Sequence, residues 1–132
     1  MKKIYTKNHR SKMKFIQPTK TTNCNDIVQC IYNLNKLDLE TYKHLQKMQE
    51  AKATTLAQHM HKERSTVYRA LQKLTNCGLC NKKTQTIKTG GYYHVYSCKN
   101  PNTVKIQLES KLDAWYSQMK KILHDFENKT KY

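Results

Sequence analysis

Arg64-Ser65-Thr66-Val67-Tyr68-Arg69-Ala70-Leu71-Gln72-Lys73-Leu74-Thr75-Asn76-Cys77-Gly78-Leu79 is the stretch on which the fold turns. Its apolar residues Val67, Ala70, Leu71 and Leu74 recur with the period of one helical face. Gly78 stands where a helix from about Arg64 to Cys77 would stop, since glycine takes the left-handed conformation that ends helices. With Val67 facing a core, a turn of about 100° per residue puts Ser65, Arg69, Gln72 and Asn76 near the opposite side. Arg64, Thr66, Tyr68 and Lys73 fall on its start and flanks. Such a face offers donors and acceptors for base edges (Arg69, Gln72) and hydroxyls for phosphates (Ser65, Thr66, Tyr68).

Upstream, three shorter helical patterns precede this one. Ile27, Cys30, Ile31 and Leu34 form the first, after Asp26. Leu39, Tyr42, Leu45 and Met48 form the second, for which Asp38 is the expected N-cap. Leu56, Ala57 and Met60 form the third, starting near Thr54–Thr55. Downstream the period changes to that of strands. Leu79 to Ile87 and Tyr92 to Cys98 are rich in Tyr, Val, Ile and Thr and flank Lys88-Thr89-Gly90-Gly91, a β-hairpin signature with a basic tip. Asn100-Pro101 then opens a last helix to about Asn128. Leu108, Leu112, Trp115, Met119, Ile122 and Phe126 form a heptad seam along it, widened by Tyr116 and Leu123. So long an apolar stripe exceeds what a small helical domain can cover, and a self-associating coiled coil is expected, most simply a homodimer.

Short helices followed by a hairpin predict a mainly α fold with a β-hairpin wing, a winged helix-turn-helix carrying a long C-terminal dimerisation helix. The expected organisation is a flexible basic arm (1–24), the winged helix-turn-helix (25–99) and the dimerisation helix (100–128). The groove dimensions of duplex DNA suit this arrangement, because the major groove admits an α-helix while a hairpin reaches the neighbouring backbone.

Composition points the same way. The 132 residues hold 25 Lys+Arg against 9 Asp+Glu, a formal net charge of +16. The excess is segregated: +7 in residues 1–25, −1 in 26–50, +4 in 51–80, +4 in 81–100 and +2 in 101–132. Charge spread only for solubility would be even, whereas segregated charge fits a polyanion, most often nucleic acid. In the hairpin, Lys82, Lys83 and Lys88 stand among threonines with no acid, and like charges across a hairpin would repel unless phosphate offsets them. No apolar run is long enough to span a membrane and the N-terminus lacks the apolar core of a signal peptide, so a cytoplasmic, nucleoid-associated protein is expected.

The run from Arg64 to Leu74 closed by Gly78-Leu79 resembles the recognition helix of archaeal TrmB-like transcriptional regulators. Gly90-Gly91-Tyr92-Tyr93-His94-Val95-Tyr96 resembles their wing, and Leu112-Asp113-Ala114-Trp115-Tyr116 their last helix. The resemblance covers about residues 26–126 and implies a homodimeric regulator that binds double-stranded DNA and dimerises through its C-terminal helix. The sequence departs from the family at Met60-His61, where an apolar residue and then Gly are usual. It also ends without the sugar-binding domain of the longer members, so no sugar effector carries over, and no other small-molecule effector is identifiable.

Enzyme chemistry finds no support: there is no Gly-rich phosphate loop, GxSxG or HExxH, and no cofactor is expected. Cys77-Gly78-Leu79-Cys80 is a CxxC whose usual content is a pair of small hydrophobes. If the hairpin is centred on Thr89, Cys80 lies opposite Cys98, and Cys77, Cys80 and Cys98 form a minor candidate for a metal or thiol sensor. The other alternative is an abundant nucleoid protein that coats DNA with little sequence preference, which the high lysine content favours.

Overall fold

The computed structural model describes residues 23–129; the basic arm proposed for residues 1–24 lies almost wholly outside them. The order is α1 (Cys24–Ile31), α2 (Lys36–Met48), β1 (Glu50–Ala51), α3 (Ala53–Met60), α4 (Arg64–Asn76), β2 (Cys80–Thr86), β3 (Tyr92–Cys98) and α5 (Pro101–Lys129). The chain divides into two compact units, one ending at Asn100 and the other beginning at Pro101. The first is a winged helix-turn-helix with a small antiparallel sheet; the second contains α5.

Each early helix starts and stops for a local reason. Asn23 and Asn35 cap α1 and α2, and each forms a reciprocal box with the Asp three residues on, Asp26 and Asp38. Asp38 is therefore not the N-cap that the sequence predicts. Asn35 takes that place, the helix begins at Lys36, and the Asp38 carboxylate reaches back 3.0 Å to accept from the Asn35 N–H. The termini of α1, α3 and α4 repeat one motif. In each, a residue at positive φ follows the helix: Asn33 (φ 55°), His61 (56°) and Gly78 (88°). Its N–H returns to the carbonyl three residues back, and the next N–H to the carbonyl five back, as with Leu79 to Leu74 at 2.9 Å.

The core follows from the stripes. Leu45, Leu56, Val67, Leu71, Leu74 and Leu79 are fully sealed from solvent, and Tyr96 from the sheet is buried with them. In α2 the inward face is turned from the expected one. Tyr42 and Leu45 are buried, Leu39 and Met48 only half-buried, and Asp38 and Thr41 lie inside instead. Thr41 is tolerated there because its hydroxyl donates 2.8 Å to the Leu37 carbonyl. Asp38 is tolerated because it is capped and paired: the Lys73 ammonium lies 2.7 Å from its carboxylate.

The sheet order is β1-β3-β2, antiparallel throughout. The β1 strand is absent from the sequence reading. It is two residues long, Glu50 opposite Ser97 and Ala51 opposite Tyr96, too short to carry a period. It nonetheless places β3 in the centre of the sheet.

The separate helix α5 runs 29 residues. Leu108 and Met119 are half-buried, whereas Leu112, Trp115, Ile122 and Phe126 of the heptad seam are exposed, as are Tyr116 and Leu123. Among the described residues, no helix is long and apolar enough to cross a membrane.

Removing the Asp38 carboxylate deletes a cap acceptor and the partner of Lys73 together. Asp38→Ala is expected to cost about 2 kcal/mol, read as a lower urea midpoint with an unchanged slope. Asp38→Asn, which keeps an acceptor for the cap, should cost less. Equal stability of Asp38→Ala and the native chain would contradict the assignment.

Candidate nucleic-acid interface

The geometry of the interface begins at the turn between α3 and α4. His61 adopts the left-handed conformation that glycine would take at no steric cost, and its neighbours close the turn through Lys62 N–H to Ala57 O at 3.0 Å. Histidine is among the non-glycine residues found in this region with some frequency, so the departure from Gly leaves the turn intact. Arg64 fastens the same turn from the other side. Its Nε–H donates 3.3 Å to Thr54 Oγ1, and its guanidinium lies 5.5 Å from the centre of the Tyr68 ring.

Burial of Val67, Ala70, Leu71 and Leu74 then fixes the rotation of α4 about its axis. Arg64, Ser65, Arg69, Lys73 and Asn76 are exposed, while Thr66, Tyr68 and Gln72 are half-buried. Tyr68, Arg69, Gln72, Lys73 and Asn76 line an open depression of about 590 Å³ together with Tyr32, just past α1. Tyr32 is a residue that α4 alone could not reveal.

Lys73 belongs to this surface by position but is engaged within the chain. Besides Asp38, its ammonium donates 3.3 Å to the Asn33 carbonyl, so it ties the last turn of α4 to the first turn of α2 and the end of α1. Arg69, one turn earlier, is the exposed cation at the centre of the face.

The hairpin has the register that centring on Thr89 predicts: Cys80 opposite Cys98, Lys82 opposite Tyr96, Lys83 opposite Val95, Thr84 opposite His94 and Thr86 opposite Tyr92. Lysine thus faces aromatic and aliphatic partners rather than lysine, and the cross-hairpin repulsion expected from composition is absent. Lys82 and Lys83, being adjacent on a strand, project to opposite sides of the ribbon. Both are exposed, as is Lys88 at the tip. The tip closes with Gly90 N–H to Ile87 O at 2.9 Å and Ile87 N–H to Gly91 O at 3.1 Å, with Gly90 at φ +111°. Only glycine enters that conformation readily, and it sets the three-residue loop that presents Lys88.

Contacts between the wing and its surroundings escape the sequence reading because they depend on the register. The Lys52 ammonium, at the start of α3, sits 4.5 Å from the centre of the Tyr93 ring on the wing. Thr84 Oγ1 and His94 Nδ1 are 3.2 Å apart, and His94 packs edge-on to Tyr92. Neither α3 nor α4 receives a side-chain N-cap, in contrast to α1 and α2.

The cysteines do not assemble as a three-sulfur cluster. Among the described residues, no group of three or more His, Cys, Asp or Glu is placed to hold a metal. Cys77 Sγ instead donates toward the Leu74 carbonyl at the end of α4, 3.5 Å away.

Comparison with known proteins bears on this geometry. Residues 28–102 match the sequence model of the family described as sugar-specific transcriptional regulator TrmB. The uncharacterized protein MJ1503 of Methanocaldococcus jannaschii is 31% identical over 117 residues, covering 89% of this chain and 89% of its own. Among solved structures, a possible transcriptional regulator from Methanosarcina mazei Go1 superposes with a TM-score of 0.73 at 21% identity, over 88% of this chain and 99% of its own. The ST1889 protein of Sulfolobus tokodaii superposes with a TM-score of 0.57 at 18% identity, over 71% of this chain and 92% of its own. At these identities the two structures establish the shared fold.

The different engagement of the lysines is open to measurement by the salt dependence of duplex binding. Lys82→Gln, Lys83→Gln and Lys88→Gln should each reduce the slope of log affinity against log salt by about one. Lys73→Gln should leave the slope unchanged and lower the urea midpoint instead. A slope lowered by Lys73→Gln alone would reverse the assignment.

Proposed function

Because the chain belongs to the TrmB family of transcriptional regulators, we propose that it works as a homodimer that reads a defined, roughly palindromic DNA sequence with α4 in the major groove. It is a DNA-binding regulator, not an enzyme. In this reading the hairpin bearing Lys82, Lys83 and Lys88 grips flanking backbone, and the seam of α5 joins the two subunits.

The observation that carries the reading is the two-sidedness of α4. One side is sealed by Val67, Leu71 and Leu74, while Ser65, Arg69 and Asn76 stay open to solvent on the other. Arg69 presents a planar fork suited to the two acceptors of guanine, and Gln72 an amide suited to adenine. The uncapped N-termini of α3 and α4 favour the same ligand. Backbone N–H groups at a helix start, together with the helix dipole, attract phosphate oxygens. Arg64 and Lys52 lie beside those two starts. We assign Lys73 to holding α4 in place, not to the DNA.

The homodimer rests on the apolar side chains that α5 leaves uncovered, Leu112, Trp115, Ile122 and Phe126. Exposed aromatics and aliphatics repeating every heptad are costly in water and are sealed most economically by a second helix carrying the same seam.

Selection of bound sequences from random duplexes tests specificity. A recurrent two-fold motif is expected, and enrichment of none would favour the alternative of a low-specificity DNA-coating protein. In the same assay Arg69→Ala should lose about 1–3 kcal/mol on the selected site and relax preference at one position. An equal loss on all sequences would make Arg69 a backbone contact. Trp115→Arg should sediment as a monomer, and a dimer surviving this change would remove the α5 seam from the interface.

A further inference from the structure

The two cysteines at the root of the wing occupy a position with its own chemistry. Lys99 N–H donates to Leu79 O at 3.0 Å, and Ile87 N–H donates to Gly91 O at 3.1 Å. Both pairs are odd-numbered positions of the ladder, so the hydrogen-bonded pairs of the hairpin are the odd ones. Cys80 and Cys98 face each other at an even step. They therefore form a non-hydrogen-bonded pair, the type in which opposed α-carbons come to about 4.5 Å and side chains are closest. That separation falls within the range of about 4.4–6.8 Å spanned by disulfides, and both side chains leave the same side of the ribbon.

We propose that Cys80 and Cys98 are a reversible modification site, a dithiol at the base of the wing that closes into a cross-strand disulfide by exchange with a small-molecule disulfide.

The surroundings divide the roles. Both residues are thiols in this structure, Cys80 buried and Cys98 half-buried, so an incoming disulfide meets Cys98 first. Interaction between the two facing sulfurs favours the Cys98 thiolate and lowers its pKa. The same interaction, reinforced by burial, holds the proton on Cys80 and pushes its pKa up. Cys98 Sγ also lies 3.9 Å from the Tyr42 carbonyl, to which it can donate a hydrogen bond while it is a thiol. Cys77, the other half of the CxxC, is directed to the Leu74 carbonyl and caps α4.

The exchange balances in two steps. The Cys98 thiolate attacks one sulfur of RSSR, forming a mixed disulfide and expelling RS⁻, which takes up the proton that Cys98 released. Cys80 then gives up its proton, and its thiolate attacks Cys98 Sγ. The Cys80–Cys98 bond forms, the mixed disulfide breaks, and a second RS⁻ leaves and is protonated. Two protein thiols are oxidised and one RSSR is reduced to two RSH; excess RSH runs both steps backwards. The bond would join the strand leaving the recognition helix to the strand returning toward α5, fixing the root of the wing covalently.

The test uses the full reduced chain equilibrated with mixtures of reduced and oxidised glutathione, quenched by alkylation and mapped by mass spectrometry. Expected is the loss of two of the five thiols, a single internal bond joining Cys80 to Cys98, and full reversal by excess reduced glutathione. In Cys80→Ala the mixed disulfide with glutathione should persist on Cys98, while in Cys98→Ala position 80 should stay unmodified. The proposal is overturned if the native chain forms no internal bond at a ratio that oxidises a reference dithiol peptide. A bond from Cys80 to Cys77, or one formed among the other cysteines, overturns it equally. Because the native chain alone decides the pairing, the outcome does not depend on either variant folding.

Discussion

The face that α4 presents to solvent is governed by the burial of its opposite stripe. Val67, Leu71 and Leu74 are wholly excluded from water, and fully burying side chains of this kind is worth roughly 1.5–3 kcal/mol each. That sum fixes the rotation of the helix about its axis more firmly than any polar contact could. With the rotation set, Arg69 and Asn76 have no choice but to face outward. The Lys73–Asp38 pair adds direction to a seat already made, holding the last turn of α4 against the start of α2. The hairpin inherits its position from the same seat, because Leu79 and Cys80, which lead from the helix into β2, are themselves buried.

What the sequence discloses is what local periods and turn chemistry control. The stripe of α4, the stop at Gly78 and the hairpin centred on Thr89 all depend on neighbours within a few residues, and all are legible. The candidate reading face is legible for the same reason, since rotating Val67 inward places Ser65, Arg69 and Asn76 outward by geometry alone. Features that depend on distant partners are not legible. Asp38 looks like a cap because it directly precedes an apolar run. Only the fold reveals that Asn35 does the capping while Asp38, at the third position, also meets Lys73 from α4. Likewise β1 is two residues that become a strand only because β3 lies alongside, and Lys52 meets Tyr93 only once α3 and the wing are in register.

His61 shows how a departure from a usual residue can leave geometry untouched. Glycine is favoured at such a helix end because it lacks the Cβ that resists positive φ. Histidine pays a steric cost there, yet the two hydrogen bonds that close the turn are present at 3.2 and 3.0 Å. The same pattern at Asn33 and Gly78 indicates that the motif is set by the backbone and by packing after it, with the side chain adjusting.

The placement of β3 in the middle of the sheet has a consequence for what the protein does in company. One outer border, β1, is only two residues long. The other, β2, is studded with Lys82 and Lys83. A ribbon this open would ordinarily invite a stranger's backbone to zip onto it, the first step toward fibrous deposits. Here β1 covers only Tyr96 and Ser97 of one border, so it is the charge of Lys82 and Lys83 on the other that opposes such growth.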